Sequence, residues 1–159
     1  MRLETWRAPA GDTIPNHPRF DVLIYRGVDL GGGARELFAA NGWGGSWVDG
    51  VFDFHHFHST SHEVLAVIAG SATLELGGPQ GESFDVRAGD VIVLPAGTGH
   101  RRASADAKFR VVGAYPAGQE DYDLLREADD AARERLARVP VPEGDPVGGE
   151  GVARWQQIP

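Results

Sequence analysis

Between Gly50 and Tyr115 the chain is a succession of short apolar runs, most of them closed by glycine or proline, and none has room for a long helix. Glu63 to Ile68 is apolar and rich in β-branched residues, and Ser71 to Leu76 alternates before the turn Gly77-Gly78-Pro79-Gln80-Gly81. Ser83 to Arg87, Val91 to Leu94, His100 to Ser104 and Phe109 to Ala114 complete the set. Side chains on a strand alternate between its two faces, so runs of this length with turns at regular spacing predict an all-β sandwich or barrel. Val51 to His58 also alternates, which predicts a strand with Phe52, Phe54, His56 and His58 on one face.

The flanks read differently. Residues 1–19 are rich in turn formers and predict an extended arm. Phe20 to Tyr25 is a first strand, and Gly31-Gly32-Gly33 precedes a short helix over Ala34 to Ala40 closed by Asn41-Gly42. The triple glycine lacks the Gly-Lys-Ser/Thr ending of a phosphate loop. Trp43 and Trp47 are expected to pack over one end of the core. Residues 119–139 are charged with a helical period, Leu124, Leu125, Ala128, Ala132 and Leu136 forming the apolar stripe. The tail, 140–159, is Pro/Gly-rich, and Trp155 is expected to dock it onto the body. A chain of 159 residues fits one domain, 1–159, with 50–115 as its barrel.

Composition narrows the chemistry. There is no cysteine, so disulfides, thiolate metal sites and iron–sulfur clusters are excluded. The net charge is −8 with the arginines scattered, which argues against nucleic acid as a partner. Lys108 is the one lysine, so Schiff-base chemistry would rest on it alone. No apolar stretch suggests a signal peptide or a membrane span, and a cytoplasmic protein is expected.

The run His55-His56-Phe57-His58-Ser59-Thr60-Ser61-His62-Glu63 carries the chemistry. On a strand His56 and His58 project together while His55 points the other way. Two neighbouring imidazoles followed by Glu63 suit a divalent metal, and His100 is placed to supply a fourth ligand. His62 adjoins Glu63 and is an alternative ligand at a bend, and His55 is exterior or a hydrogen-bonding neighbour of the site. Arg102 shares parity with His100, so it either binds an anionic group or pairs with a carboxylate at the rim. Phe52 and Phe54 are expected as core and pocket wall.

The spacing of these residues resembles the two motifs of the cupin superfamily. Gly50, His56, His58, Glu63 and Gly70 match the first, and Gly89, Pro95, Gly97 and His100 match the second, with Ser104 where the motif ends in Asn. Asn41-Gly42-Trp43, Ser46-Trp47, Tyr115-Pro116-Ala117-Gly118-Gln119 and Asp145-Pro146-Val147-Gly148 extend the resemblance to the small bacterial YjlB-like cupins. The resemblance implies a double-stranded β-helix, or jelly-roll, barrel with helical additions. It implies one divalent transition metal (Fe, Mn, Ni or Zn) on His56, His58, Glu63 and His100. The expected function is a metal-dependent enzyme of dioxygenase or isomerase type on a small polar, anionic metabolite. The alternative is a cupin that binds or senses a small molecule without turning it over. A homodimer is expected, with the arm on a neighbour's sheet.

Overall fold

Strict two-residue alternation determines which side of each strand meets which core. The computed structural model describes residues 1–159 as nine strands and three short helices. β1 (Arg2–Trp6), β2 (Val22–Arg26), β3 (Trp43–Asp49), β4 (Glu63–Ala69), β7 (Val91–Leu94) and β9 (Arg110–Pro116) form one antiparallel sheet in the order β1-β2-β7-β4-β9-β3. β5 (Ser71–Leu76), β6 (Glu82–Arg87) and β8 (His100–Ala105) form a second, in the order β6-β5-β8. The arrangement is the expected jelly roll.

The inner face of the large sheet (Ile24, Leu65, Val67, Ile92, Leu94 and Val111) packs against Ala72, Leu74, Leu76 and Val86 of the small one. The outer face (Leu23, Tyr25, Val64, Ala66, Val93 and Ala114) is covered by helix α1 (Ala34–Ala40) through Phe38 and by helix α3 (Gly151–Gln156) through Val152 and Trp155. Both faces of the large sheet are thus buried, which is why its strands read as continuous apolar runs.

Four expectations are corrected. The N-terminal arm is not a free extension: it pairs in register with β2 of its own chain, from Arg2 opposite Arg26 to Trp6 opposite Val22, and forms one edge of the large sheet. Trp43 and Trp47 lie on a strand, β3, rather than over one end of the barrel. A register shift between Gly44 and Trp47, with Gly45 at φ 64°, puts them on opposite faces, where regular alternation would put them on one. Trp43 therefore joins the outer core and Trp47 packs on the inner one.

Third, residues 51–58 form no continuous strand; their β-pairing is limited to single bridges, His56 with His100 and Phe57 with Leu125. Fourth, the helix expected over 119–139 is confined to α2 (Asp130–Ala137), capped by Asp129 accepting from the Ala132 N–H. The residues before it are held as a loop by Asp123, whose carboxylate accepts from the N–H and hydroxyl of Ser59 and of Thr60. Aspartate binding backbone in this way competes with helix formation.

The tail docks as expected. The buried Asp145 carboxylate accepts from Tyr25 Oη and from the N–H groups of Val147, Gly149 and Val152. Trp155 stacks on Phe20 with centroids 5.2 Å apart and donates to the Asp21 carbonyl at 3.0 Å. Trp155 is 1% exposed. Trp155→Ala is expected to cost about 3–5 kcal/mol, measured by denaturant unfolding, and a loss under about 1 kcal/mol would show that the tail is not part of the core.

Candidate metal centre

Each of the three histidines that converge inside the barrel is fixed by a backbone carbonyl. His56 Nδ1 lies 2.9 Å from the Phe54 carbonyl and His100 Nδ1 lies 3.0 Å from that of Thr98. His58 Nδ1 makes a short hydrogen bond to the Asp123 carbonyl. A carbonyl can only accept, so each Nδ1 carries the proton and donates it. Each Nε2 is thereby left with a lone pair, the tautomer a metal ligand requires.

Backbone pairing brings the rings together. The N–H of His100 donates to the His56 carbonyl at 3.0 Å and the N–H of His56 donates back at 3.3 Å, and the ring centroids are 4.0 Å apart. The turn into β8 runs through Gly97, at φ 89°, whose N–H donates to the His58 carbonyl at 2.8 Å. A side chain there would be strained, and its Cβ would press on Leu136. One ligand atom from each of His56, His58 and His100 lies within 4.8 Å of the other two, and all three residues are buried, so they can hold a metal ion.

Glu63 joins them because it shares parity with Leu65 and Val67 on the inner face of β4. Its Oε1 lies 3.2 Å from His100 Nε2 and 3.4 Å from His58 Nε2 but forms no good hydrogen bond. Its Oε2 accepts from Tyr115 Oη at 2.9 Å, and Tyr115 Oη accepts from Trp47 Nε1 at 2.8 Å. An indole N–H only donates, so the phenolic proton is directed to Glu63. One carboxylate oxygen is held and the other faces the three imidazoles. An orphaned, buried carboxylate oxygen beside three Nε2 lone pairs fits a divalent transition metal.

The electrostatics treat the histidines differently, His56 being held neutral and His58 drawn toward its protonated form by Glu63. Burial pulls His56 down to about 3, helped by the neighbouring His100. Burial also opposes charge on His58, but Glu63 and the Asp123 carbonyl outweigh it and raise its pKa. Burial pushes Glu63 up, yet His58 and His100 hold it well below the usual carboxylate range. Burial, reinforced by the Glu63 charge, raises Tyr115, which stays protonated and able to donate.

The cluster lies on a cavity of about 530 Å³ lined also by Trp47, Phe52, Leu65, Arg102, Tyr115, Tyr122 and Leu124. Arg102 contributes its guanidinium without a carboxylate partner, whereas the adjacent Arg101 pairs with Glu75 at 2.8 Å. Phe52 lines the cavity but is 54% exposed, so it is no part of the core. Phe54 does not line it; it stacks on Phe52 at 4.9 Å, under the Arg126 guanidinium.

The two other histidines of the 55–62 run, His55 and His62, lie apart from the cluster. His55 faces outward, 3.8 Å from the Glu75 carboxylate. His62 shares parity with Val64 and Ala66, which face the outer core, and it lies beside Trp155 and Phe20. Its Nδ1 accepts from the Ala96 N–H at 2.8 Å, and its Nε2 faces the Pro140 and Val139 carbonyls without completing a hydrogen bond. Sequence reasoning did not pick out Tyr115, Tyr122 or Asp123 for the site, although the inward parity of Tyr115 with Val111 was readable in the alternation of β9.

The fold and this cluster define the class: the chain is a cupin. The family model described as "Cupin domain" matches residues 47–112, which span the whole cluster. The chain is also 35% identical over 152 residues to the uncharacterized protein YjlB of Bacillus subtilis (strain 168), covering 92% of this chain and 91% of that one. It belongs with the small YjlB-like bacterial cupins. Among solved structures, acireductone dioxygenase of Bacillus anthracis, with cadmium in its active centre, is 16% identical over 54% of this chain and 58% of its own, with a TM-score of 0.41. An oxalate decarboxylase variant of Bacillus subtilis is 18% identical over 73% of this chain and 30% of its own, with a TM-score of 0.42. Likenesses this distant carry no argument about the reaction here.

Two outcomes follow. Tyr115→Phe is expected to leave one metal per chain but to weaken metal binding about 10–100-fold in a competitive chelator titration, and an unchanged affinity would contradict the role given to Oε2. His17 and His62 are buried neutral, desolvation holding their pKa values at about 3 and about 4. The unfolded chain takes up those protons below about pH 6.5, so stability is full above that pH and falls until the folded values are reached. Denaturant unfolding is expected to lose about 2 kcal/mol per histidine between pH 7 and pH 5, with His17→Gln removing its share of the slope. Equal pH slopes in the two proteins would contradict this.

Proposed function

We propose that this cupin is a metal-dependent enzyme of dioxygenase or isomerase type acting on a small anionic metabolite. His56, His58 and His100 would hold the metal through Nε2 and Glu63 through Oε1. The observation that carries the reading is the convergence of these four atoms, each with its other polar atom already held, on a cavity that also contains an unpaired arginine. When bound, a divalent metal supplies Lewis acidity or a site for activating dioxygen.

The chain's own residues do the rest. Arg102 would bind the carboxylate or phosphate of the substrate through two parallel N–H bonds and fix its orientation. Phe52 and Tyr122 flank His56 and His58 edge-on at 5.4 and 5.1 Å, where they would exclude water once a ligand enters. Tyr115 stays protonated, donates its hydroxyl hydrogen bond to Glu63 Oε2 and holds that carboxylate from rotating.

The same reading takes the protein as a cytoplasmic homodimer without nucleic-acid or membrane partners. β1 and β3 are the free edges of the large sheet, and a free edge is what a two-fold partner can extend. No helix is long and apolar enough to cross a membrane.

Elemental analysis of protein purified without a metal-chelating tag tests the centre. About one iron, manganese, nickel or zinc per chain is expected, and none in the His56→Ala/His58→Ala double variant. A protein that stays metal-free after reconstitution with each ion would contradict the metalloenzyme and favour a metal-free binding module. Oxygen consumption on adding acidic metabolites would select dioxygenase over isomerase chemistry.

A further inference from the structure

Six large apolar side chains stand exposed on the molecule, and four of them, Val48, Phe52, Tyr122 and Leu124, line the cavity of the histidine cluster. Scattered exposed apolar groups need no explanation, whereas a patch gathered at one concave mouth marks a binding surface. Phe52 is 54% exposed, and Tyr122 and Leu124 are each 40% exposed. The cavity wall is therefore half apolar, eight of its sixteen lining residues being hydrophobic. A wholly polar metabolite would leave these surfaces in water or bury them without gain.

Charge fixes the other end of the ligand. Arg102 is the one cationic side chain lining the cavity. It follows His100 by two residues on β8, so its side chain shares the inner face. Asp49 and Asp53 also border the cavity, but both are exposed, where water and salt screen them. A second copy laid over the mouth would desolvate Arg102 and would have to insert a carboxylate to satisfy it.

We infer, resting on the reading of the site given above, that the ligand is a monocarboxylic acid with an apolar body of about benzoate or hexanoate size. Its carboxylate meets Arg102, and its body is held between Phe52 on one side and Tyr122 and Leu124 on the other. This sharpens the substrate from a small polar anion to an amphipathic acid.

Titration calorimetry of the full-length zinc-loaded protein with acetate, butyrate, hexanoate, benzoate and malate tests this. Affinity is expected to rise about three- to fourfold per added methylene, the effect of burying about 0.8 kcal/mol per CH₂. Benzoate is expected to bind at least tenfold more tightly than acetate or malate. Phe52→Ala and Leu124→Ala should remove most of that gain with zinc content unchanged, while Arg102→Gln should weaken every acid alike.

Malate binding as tightly as benzoate, and still dependent on Arg102, would overturn the apolar body and leave the small-anion reading intact. Fully zinc-loaded protein that binds none of the acids would overturn the inference. A protein that takes up none of zinc, iron, manganese and nickel would sink the metal reading instead, and the same acid series on it would still decide the inference. Conversion of a dimer to a monomer by Phe52→Ala, with acid binding unaltered, would assign the patch to a second copy and overturn it as well.

Discussion

A carboxylate that is 3% exposed inside an apolar barrel is the constraint on which the site depends. Burying a charge costs several kcal/mol unless partners replace the lost water. Glu63 recovers part of that cost from the Tyr115 hydroxyl at Oε2, and its Oε1 is left facing the His58 and His100 rings without a hydrogen bond. Those groups come from separate parts of the chain, so surrounding one anion fixes how β4, β8, β9 and the 51–58 segment meet. The bulge in β3 contributes as well, because it turns Trp47 inward to direct the Tyr115 proton.

The loop before α2 acts from the other side. Asp123 holds Ser59 and Thr60 through its carboxylate and His58 through its carbonyl, and Leu125 pairs with Phe57. A segment without strand or helix thereby receives a defined ring orientation. The site is built less by the 51–58 segment than by what it is tied to: the His100 backbone on one flank and the Asp123 loop on the other. Tyr122, next to that aspartate, stacks on Tyr115 at 4.3 Å and closes the wall beside His58.

Much of this was legible in the residues. β5, β7 and α1 lie at the expected positions because alternation, apolar runs and glycine stops are local signals. The grouping of His56, His58, Glu63 and His100 was readable because side-chain parity and motif spacing survive even where 51–58 is not a true strand. Parity applied to β4 also separates His62 from Glu63, one facing the outer core and the other the cavity. What could not be read was non-local. The bulge at Gly44–Trp47 depends on pairing with β9, the pairing of β1 depends on β2, and the unwinding of residues 120–129 depends on the bonds Asp123 makes to Ser59 and Thr60. A helical period in residues 120–129 was outweighed by those contacts.

Membership among the YjlB-like cupins settles the fold and leaves the chemistry to the side chains, since one fold hosts many activities. The central claim is that fixed Nδ1 hydrogen bonds present three Nε2 atoms and one Glu63 oxygen to a single ion. Anomalous diffraction at the zinc edge, from crystals of zinc-loaded protein, tests it most directly. One peak per chain is expected, about 2.0–2.2 Å from Nε2 of His56, His58 and His100 and from Oε1 of Glu63. A peak ligated through Nδ1, centred on His62 or His55, or lying away from Glu63 would contradict the account.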